Sequence, residues 1–143
     1  MMRWLGTPED RILSWREFRG SIADQSPEEA ALTIAQEWGG SPSVRNYYLD
    51  LDESFPDPWQ LLVNNRFDNL ARALGMYYTA AMCKQFNRDQ CCIEIYQNAI
   101  GERLDIASLD QGKYVLNIHR GQVLNINSVP EHFRLIRTYQ HNF

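Results

Sequence analysis

The sequence lacks any apolar run that approaches the roughly 20 residues a bilayer-spanning helix needs, so we expect no membrane segment. Its start, MMRWLGTPEDRILSW, has no apolar core of the kind found in signal peptides, because charged residues intervene. Cysteine is scarce: Cys83, Cys91 and Cys92 make an odd number without the spacing of a disulfide framework. We therefore expect reduced thiols and a cytoplasmic setting.

Basic residues are too few and too scattered to form a stripe along the chain. There are 14 Lys and Arg residues against 18 Asp and Glu residues, which gives a formal net charge of −4. Because contacts from Lys and Arg to phosphates supply most of the non-specific affinity for nucleic acid, we expect no nucleic-acid partner.

The sequence also lacks the local motifs of common catalytic and cofactor sites. It contains no Gly-rich phosphate loop, no nucleophile elbow and no redox CxxC motif. The three histidines, His119, His132 and His141, follow no metal-ligand spacing. We therefore predict no catalytic residue, no cofactor and no metal ligand.

Three proline-containing segments, TPED, SPEE and DPWQ, predict helix starts at Thr7, Ser26 and Asp57. In each, an oxygen-bearing side chain can cap the helix, and proline occupies the first helical position without losing a hydrogen bond. The residue three places after the cap can reach back to it. With the apolar periodicity that follows, these signals predict helices over about 8–22, 27–38 and 58–63.

The longest predicted helix runs from about 68 to 86 and is expected to be central. Gly75 lies within it, although Gly costs about 1 kcal/mol relative to Ala in a helix interior. This glycine indicates a close approach, either by another helix of the same domain or by a partner.

After Asn87 the apolar pattern changes from a helical period to a period of two residues. The segments CCIEIYQ, RLDIAS, KYVLNI and QVLNI are separated by turns that contain glycine, which predicts an antiparallel β-meander from 91 to 126. The tail FRLIRTYQ is consistent with a last strand or a short helix. We predict one α+β domain over 1–143, in which about four N-terminal helices (1–88) pack on one face of a C-terminal antiparallel β-meander with its tail (89–143).

Acidic side chains are concentrated before the third predicted helix, at Asp50, Asp52, Glu53 and Asp57. Such a group can bind a divalent cation, but the spacing does not fit an EF-hand loop, since Phe55 stands where the loop needs glycine. The alternative is that the acids solvate a loop while Asp57 caps its helix.

Aromatic residues are abundant, with four Trp, seven Tyr and six Phe. Because interface cores are enriched in Trp and Tyr, those outside the predicted helix interiors are candidates for contact with a partner. A satellite cluster under the long loop is the alternative. The predicted partner-binding residues are Trp4, Tyr47, Tyr48, Asp50, Asp52, Glu53 and Trp59.

The segments ILSWREFRGSI, FPDPWQLLVNNRFDNLARALGMYYTAAM, YVLNI and SVPEHFRL resemble small uncharacterised proteins of tailed bacteriophages, mainly the large contractile-tailed phages of aquatic bacteria. The resemblance covers most of the chain after Trp4. It implies a viral setting and a non-catalytic role, and no site residue is carried over from it.

These observations predict a phage-encoded protein-interaction module, a minor virion or assembly component. It would act in the cytoplasm of the infected bacterial host or in the virion, with a protein partner or as a homo-oligomer. One alternative is a host-takeover or anti-defence protein that inhibits a bacterial enzyme, with the acidic segment as a charge mimic. Another is a metal-dependent hydrolase that uses the carboxylates from Asp50 to Asp57 with His119 or His132.

Overall fold

The computed structural model describes residues 1–43, 51 and 54–143 of the chain. These residues form an α+β fold in which helices at the N-terminal side cover one antiparallel sheet, as predicted. The helices are α1 (Pro8–Ser21), α2 (Pro27–Gly39), α3 (Pro58–Asn64) and α4 (Asn69–Ala81). Among the described residues, no helix has the length and apolar character needed to cross a membrane.

The three predicted helix starts are confirmed by the caps. The side chain of Thr7 accepts a hydrogen bond from the backbone N–H of Asp10, and the side chain of Asp57 accepts one from Gln60; both pairs form complete capping boxes. Ser26 caps α2 in the same way, and proline follows each of the three caps.

The central helix α4 ends five residues earlier than the predicted 86, and the reason is a tertiary contact. After Ala81 the chain turns, and Nε2 of Gln85 donates to the backbone oxygens of Ile22, Ala23 and Gln25 at 2.7, 3.3 and 3.1 Å. Because these contacts hold the segment against the end of α1, the helical periodicity of the sequence does not continue as a helix.

The sheet has five strands in the order β4-β3-β2-β1-β5, and every pairing is antiparallel. The first four form the predicted meander, and the tail is a strand that pairs with β1. The bounds are β1 Cys92–Gln97, β2 Arg103–Leu109, β3 Tyr114–Leu116, β4 Val123–Leu124 and β5 Arg134–Tyr139.

The two faces of the sheet have different surroundings. Ile93, Ala107 and Leu116 are paired across β1, β2 and β3 and belong to the core under α2 and α4. Ile106 and Val115 point to the opposite face, which we call the outer face. They are also fully buried, although they lie outside that core cluster. The connection over 125–133 joins the two edge strands, β4 and β5, and Ile126 from it packs against Gly112, so this connection covers part of the outer face.

One buried hydroxyl joins three helices. Nε1 of Trp15 in α1 and Nε1 of Trp38 in α2 each donate to Oγ1 of Thr79 in α4 at 2.9 Å. Oγ1 of Thr79 in turn donates to the backbone oxygen of Gly75 at 2.7 Å. A hydroxyl offers one donor and two acceptor sites, so all three are used here and both buried indole N–H groups are satisfied.

The close approach predicted at Gly75 is confirmed, and the approaching group is the indole ring of Trp38 from the same domain. A Cβ atom at Gly75 would lie 2.3 Å from Cε3 of Trp38. The helix therefore needs glycine at this position, because the buried ring has no room to retreat.

We predict that Thr79→Val lowers the free energy of unfolding by roughly 2–6 kcal/mol, because it leaves two buried N–H groups without an acceptor at about 1–3 kcal/mol each. Thr79→Ser keeps the hydroxyl and should cost only about 1 kcal/mol for the lost methyl group. Urea denaturation of both variants measures the difference. Equal losses would show that the hydroxyl is not what holds the indoles.

We also predict that Gly75→Ala destabilises the protein by at least about 1–3 kcal/mol through overpacking against Trp38. The matched control is Gly20→Ala in α1, where a Cβ atom would meet no atom within 4 Å. It should raise stability by about 0.4–1 kcal/mol by restricting the unfolded chain. Thermal denaturation distinguishes the two, and a stabilising Gly75→Ala would contradict the packing described here.

Candidate functional site

Trp4, one of the predicted partner-binding residues, is partly buried against the main core. Its ring makes edge contacts with Trp38 and Phe67 at centroid distances of 5.0 and 5.4 Å. Nδ2 of Asn65 donates to its backbone oxygen at 3.0 Å. Trp4 therefore closes the core beside α2, with part of its ring surface left accessible.

Trp59 is the predicted residue that the structure places most clearly at the surface. Its side chain is 45% exposed, and its ring makes an edge contact with the buried Trp15 at 5.4 Å. Val63 is 48% exposed and lies one helical turn further along α3. We call the surface formed by Trp59 and Val63 the α3 face.

The backbone under the α3 face is held by a buried arginine. Nε of Arg11 donates to the backbone oxygen of Leu62 at 2.8 Å, and its guanidinium also donates to the oxygens of Val63 at 3.2 Å and Gly6 at 2.7 Å. These bonds satisfy carbonyl groups at the C-terminal end of the short helix that have no partner within it. The α3 face is thus presented on a fixed support.

Tyr47, Tyr48, Asp50, Asp52 and Glu53, which complete the predicted set, lie outside the described residues. Asp57 lies within them and caps α3, as the alternative reading of the acidic segment expects. Among the described residues, no group of three or more His, Cys, Asp and Glu side chains could hold a metal ion.

The three cysteines have the environment of structural thiols. Cys83 and Cys91 are buried and Cys92 is partly buried, and all three are free. Burial raises the pKa of Cys91 and of Cys92 to about 11 and also raises the pKa of Cys83. A nucleophilic cysteine needs a depressed pKa, so these thiols are protonated at neutral pH.

The histidines lie in separate places. Nδ1 of His141 is 3.2 Å from the hydroxyl of Tyr139, and its backbone N–H donates to the hydroxyl of Tyr77 at 2.9 Å. His132 packs on Phe133 at a centroid distance of 4.8 Å. The backbone oxygen of His119 accepts from Gln122 in a turn.

A polar cleft of about 310 Å³ lies between the start of α4 and strand β2. Its lining includes Asp68, the cap of α4, and the pair formed by Arg103 and Asp105. Nε of Arg103 is 2.7 Å from Oδ1 of Asp105, a contact outside hydrogen-bond geometry, and Nη2 donates to Oδ2 at 3.1 Å. Burial raises the pKa of Asp105 and the Arg103 charge lowers it, with burial the larger effect.

Sequence reasoning missed this cleft. Its signal is the segment RLD, in which two opposite charges stand on the same side of a strand at positions that otherwise face the core. Asn117 supports the cleft from β3, since its Nδ2 donates to the backbone oxygens of Asn69 and Asp105, each at 2.9 Å. The cleft carries its own counterion, so its charges are largely satisfied without a ligand.

Comparison with solved structures finds a match in the calcium-bound LapG of Legionella pneumophila. The TM-score is 0.70 and the sequence identity 15%, over 95% of this chain and 77% of that chain. The two chains share a fold. At this identity the likeness extends to the fold alone. No protein-family model and no curated protein matches the sequence.

We predict that the free energy of unfolding falls as pH rises from about 9 to about 11. Thiols in the unfolded chain ionise near 9.0, whereas Cys91 and Cys92 keep their protons to about 11 in the folded chain. The unfolded state therefore binds fewer protons in this interval, so the stabilisation is complete below pH 9 and is lost through pH 11.

Urea denaturation at a series of pH values measures this slope. The Cys91→Ala and Cys92→Ala double variant should have a shallower slope between pH 9 and 10 than the wild type. A slope that is unchanged in the double variant would show that the thiols do not cause it.

Proposed function

We propose that this chain is a phage-encoded, non-catalytic protein-interaction module, a minor virion or assembly component, which binds its protein partner through the α3 face. The observation that carries the proposal is the half-exposed ring of Trp59, held against Trp15 on a helix whose backbone is fixed by Arg11. The viral setting and the assembly role rest on the resemblance to small phage proteins.

A rigid, partly exposed tryptophan is well suited to anchor an interface. Binding free energy at interfaces is concentrated in a few residues, and tryptophan is among the most enriched of them. Ordering a mobile side chain on binding costs about 0.5–1.5 kcal/mol. The contact with Trp15 at 5.4 Å orients Trp59 before binding, which reduces that cost.

The state of the thiols supports a non-catalytic role. Cys91 and Cys92 are protonated at neutral pH, as their raised pKa values require, and a protonated thiol is a poor nucleophile. The likeness to LapG concerns the fold and brings no activity to this chain.

Affinity recovery from phage-infected cells tests the proposal. The bait is the wild-type protein, Val63→Gln or Trp59→Ala, and Ile100→Ala is the matched control. Ile100 is exposed in the turn between β1 and β2, away from α3. We expect wild type and Ile100→Ala to recover the same phage structural protein, and the α3 variants to bind it at least tenfold more weakly in calorimetry with the purified partner.

Val63→Gln leaves the contact between Trp59 and Trp15 in place, so its effect on binding is separable from an effect on folding, which thermal denaturation checks. Equal recovery by all four proteins would rule out the α3 face. Recovery of one bacterial enzyme in place of a phage structural protein would favour the inhibitor alternative over the assembly role.

A further inference from the structure

A second cavity, of about 250 Å³, lies on the outer face of the sheet, and we call it the outer-face pocket. Its floor includes Cys92 and Glu94 of β1 and Ser108 of β2. Ile126, from the connection over 125–133, lines its opposite side. The pocket is distinct from the polar cleft and from the α3 face.

The walls of this pocket are held by hydrogen bonds. The backbone N–H of Ile126 donates to the oxygen of Gly112 at 3.0 Å, and a Cβ atom at Gly112 would lie 3.1 Å from Cβ of Ile126. Nε2 of Gln140 donates to the backbone oxygens of Asp89 and Cys91 at 3.2 and 2.9 Å. The pocket is therefore formed before any ligand enters, as small-molecule sites usually are.

The lining of the pocket is acidic and otherwise uncharged. Asp89 and Glu94 are its ionisable carboxylates, and none of the described residues that line it is Lys, Arg or His. The Oε1 atom of Glu94 is buried without a hydrogen-bond partner among the described residues. Burial raises the pKa of Glu94, and hydrogen bonds from Tyr96 and Ser108 act in the opposite direction.

A buried acceptor without a donor costs about 1–3 kcal/mol. A ligand that brings an N–H donor to Oε1 of Glu94 would recover this cost, and a positive charge on it would be attracted by both carboxylates. An anion would meet two carboxylates and no basic side chain in the described lining, so an anionic ligand does not fit.

We propose that the outer-face pocket binds a small organic cation with N–H donors, a primary ammonium or guanidinium group, with Oε1 of Glu94 as its main acceptor. A water molecule occupies about 30 Å³ in the liquid, so a cavity of about 250 Å³ admits a free alkylamine or the end of a Lys or Arg side chain. A metal ion does not fit this pocket, since no described group of three His, Cys, Asp or Glu side chains could ligate one.

Titration of the 15N-labelled protein with n-butylammonium and n-butylguanidinium tests the proposal, with n-butanol as the uncharged probe of the same length. We expect saturable shifts of the backbone amides of Cys92, Glu94, Ser108 and Ile126 with the cations and none with the alcohol. Glu94→Gln, which is nearly the same size, should weaken binding at least tenfold. Glu102→Gln, in the exposed turn after β1, is the matched control and should bind like the wild type.

Cys92 provides a second readout that needs no variant. Occupancy of the pocket should slow alkylation of Cys92 by iodoacetamide at pH 9, measured by mass spectrometry of the peptide that contains it. Short peptides with one Lys or Arg and blocked ends distinguish a side-chain source of the cation from a free amine.

Absence of saturable shifts with either cation, or equal affinity in Glu94→Gln, would overturn the proposal. Unprotected Cys92 at saturating cation would overturn it as well, even if Glu94→Gln fails to fold. Because the pocket lies apart from α3, Val63→Gln should bind the cations like the wild type, so this proposal and the proposed function are tested independently.

Discussion

The hydroxyl of Thr79 is the interaction on which the helical layer depends. It accepts from Trp15 and Trp38 and donates to the helix that carries it, so α1, α2 and α4 meet at one oxygen atom. Two indoles are costly to bury unless both N–H groups find acceptors. Gly75 provides the space that allows the ring of Trp38 to reach this acceptor.

The surface of the protein inherits its geometry from this buried arrangement. Trp15 is fixed by Thr79, and Trp59 packs on the edge of Trp15, so the orientation of an exposed ring on α3 is set by a hydrogen bond in the core. Arg11 adds a second constraint, because it ties the end of α3 to α1. An interaction surface built in this way has little freedom to adapt its shape to different partners.

Local signals in the sequence predict much of the fold, because the determinants are adjacent along the chain. A cap, a proline and an acid or amide within four residues predict the starts of α1, α2 and α3. The end of α4 depends on the contact of Gln85 with a segment some 60 residues earlier, as the hydrogen bond to Gln25 shows, so periodicity alone overextends it. The tail was undecided between strand and helix because most of β5 is exposed and carries no clear apolar alternation.

The candidate sites follow the same division. The place of Trp59 in a first helical turn could be predicted, while the exposure of Val63 depends on how α3 lies on α1. Glu94 and Asp105 read as ordinary polar positions of alternating strands. Their burial arises from the connection over the outer face and from α4, which only the three-dimensional arrangement brings to them.

The position of β5 beside β1 has a consequence for the chain as it is synthesised. β1 is completed on one side by β2, which follows it directly, but its other side stays an open edge until a segment some 40 residues later has emerged and crossed the sheet. Open edges invite pairing with other chains. During that interval the growing protein exposes a sticky strand that the finished protein hides, so the speed of translation through 98–139 governs how long each copy remains open to misassembly.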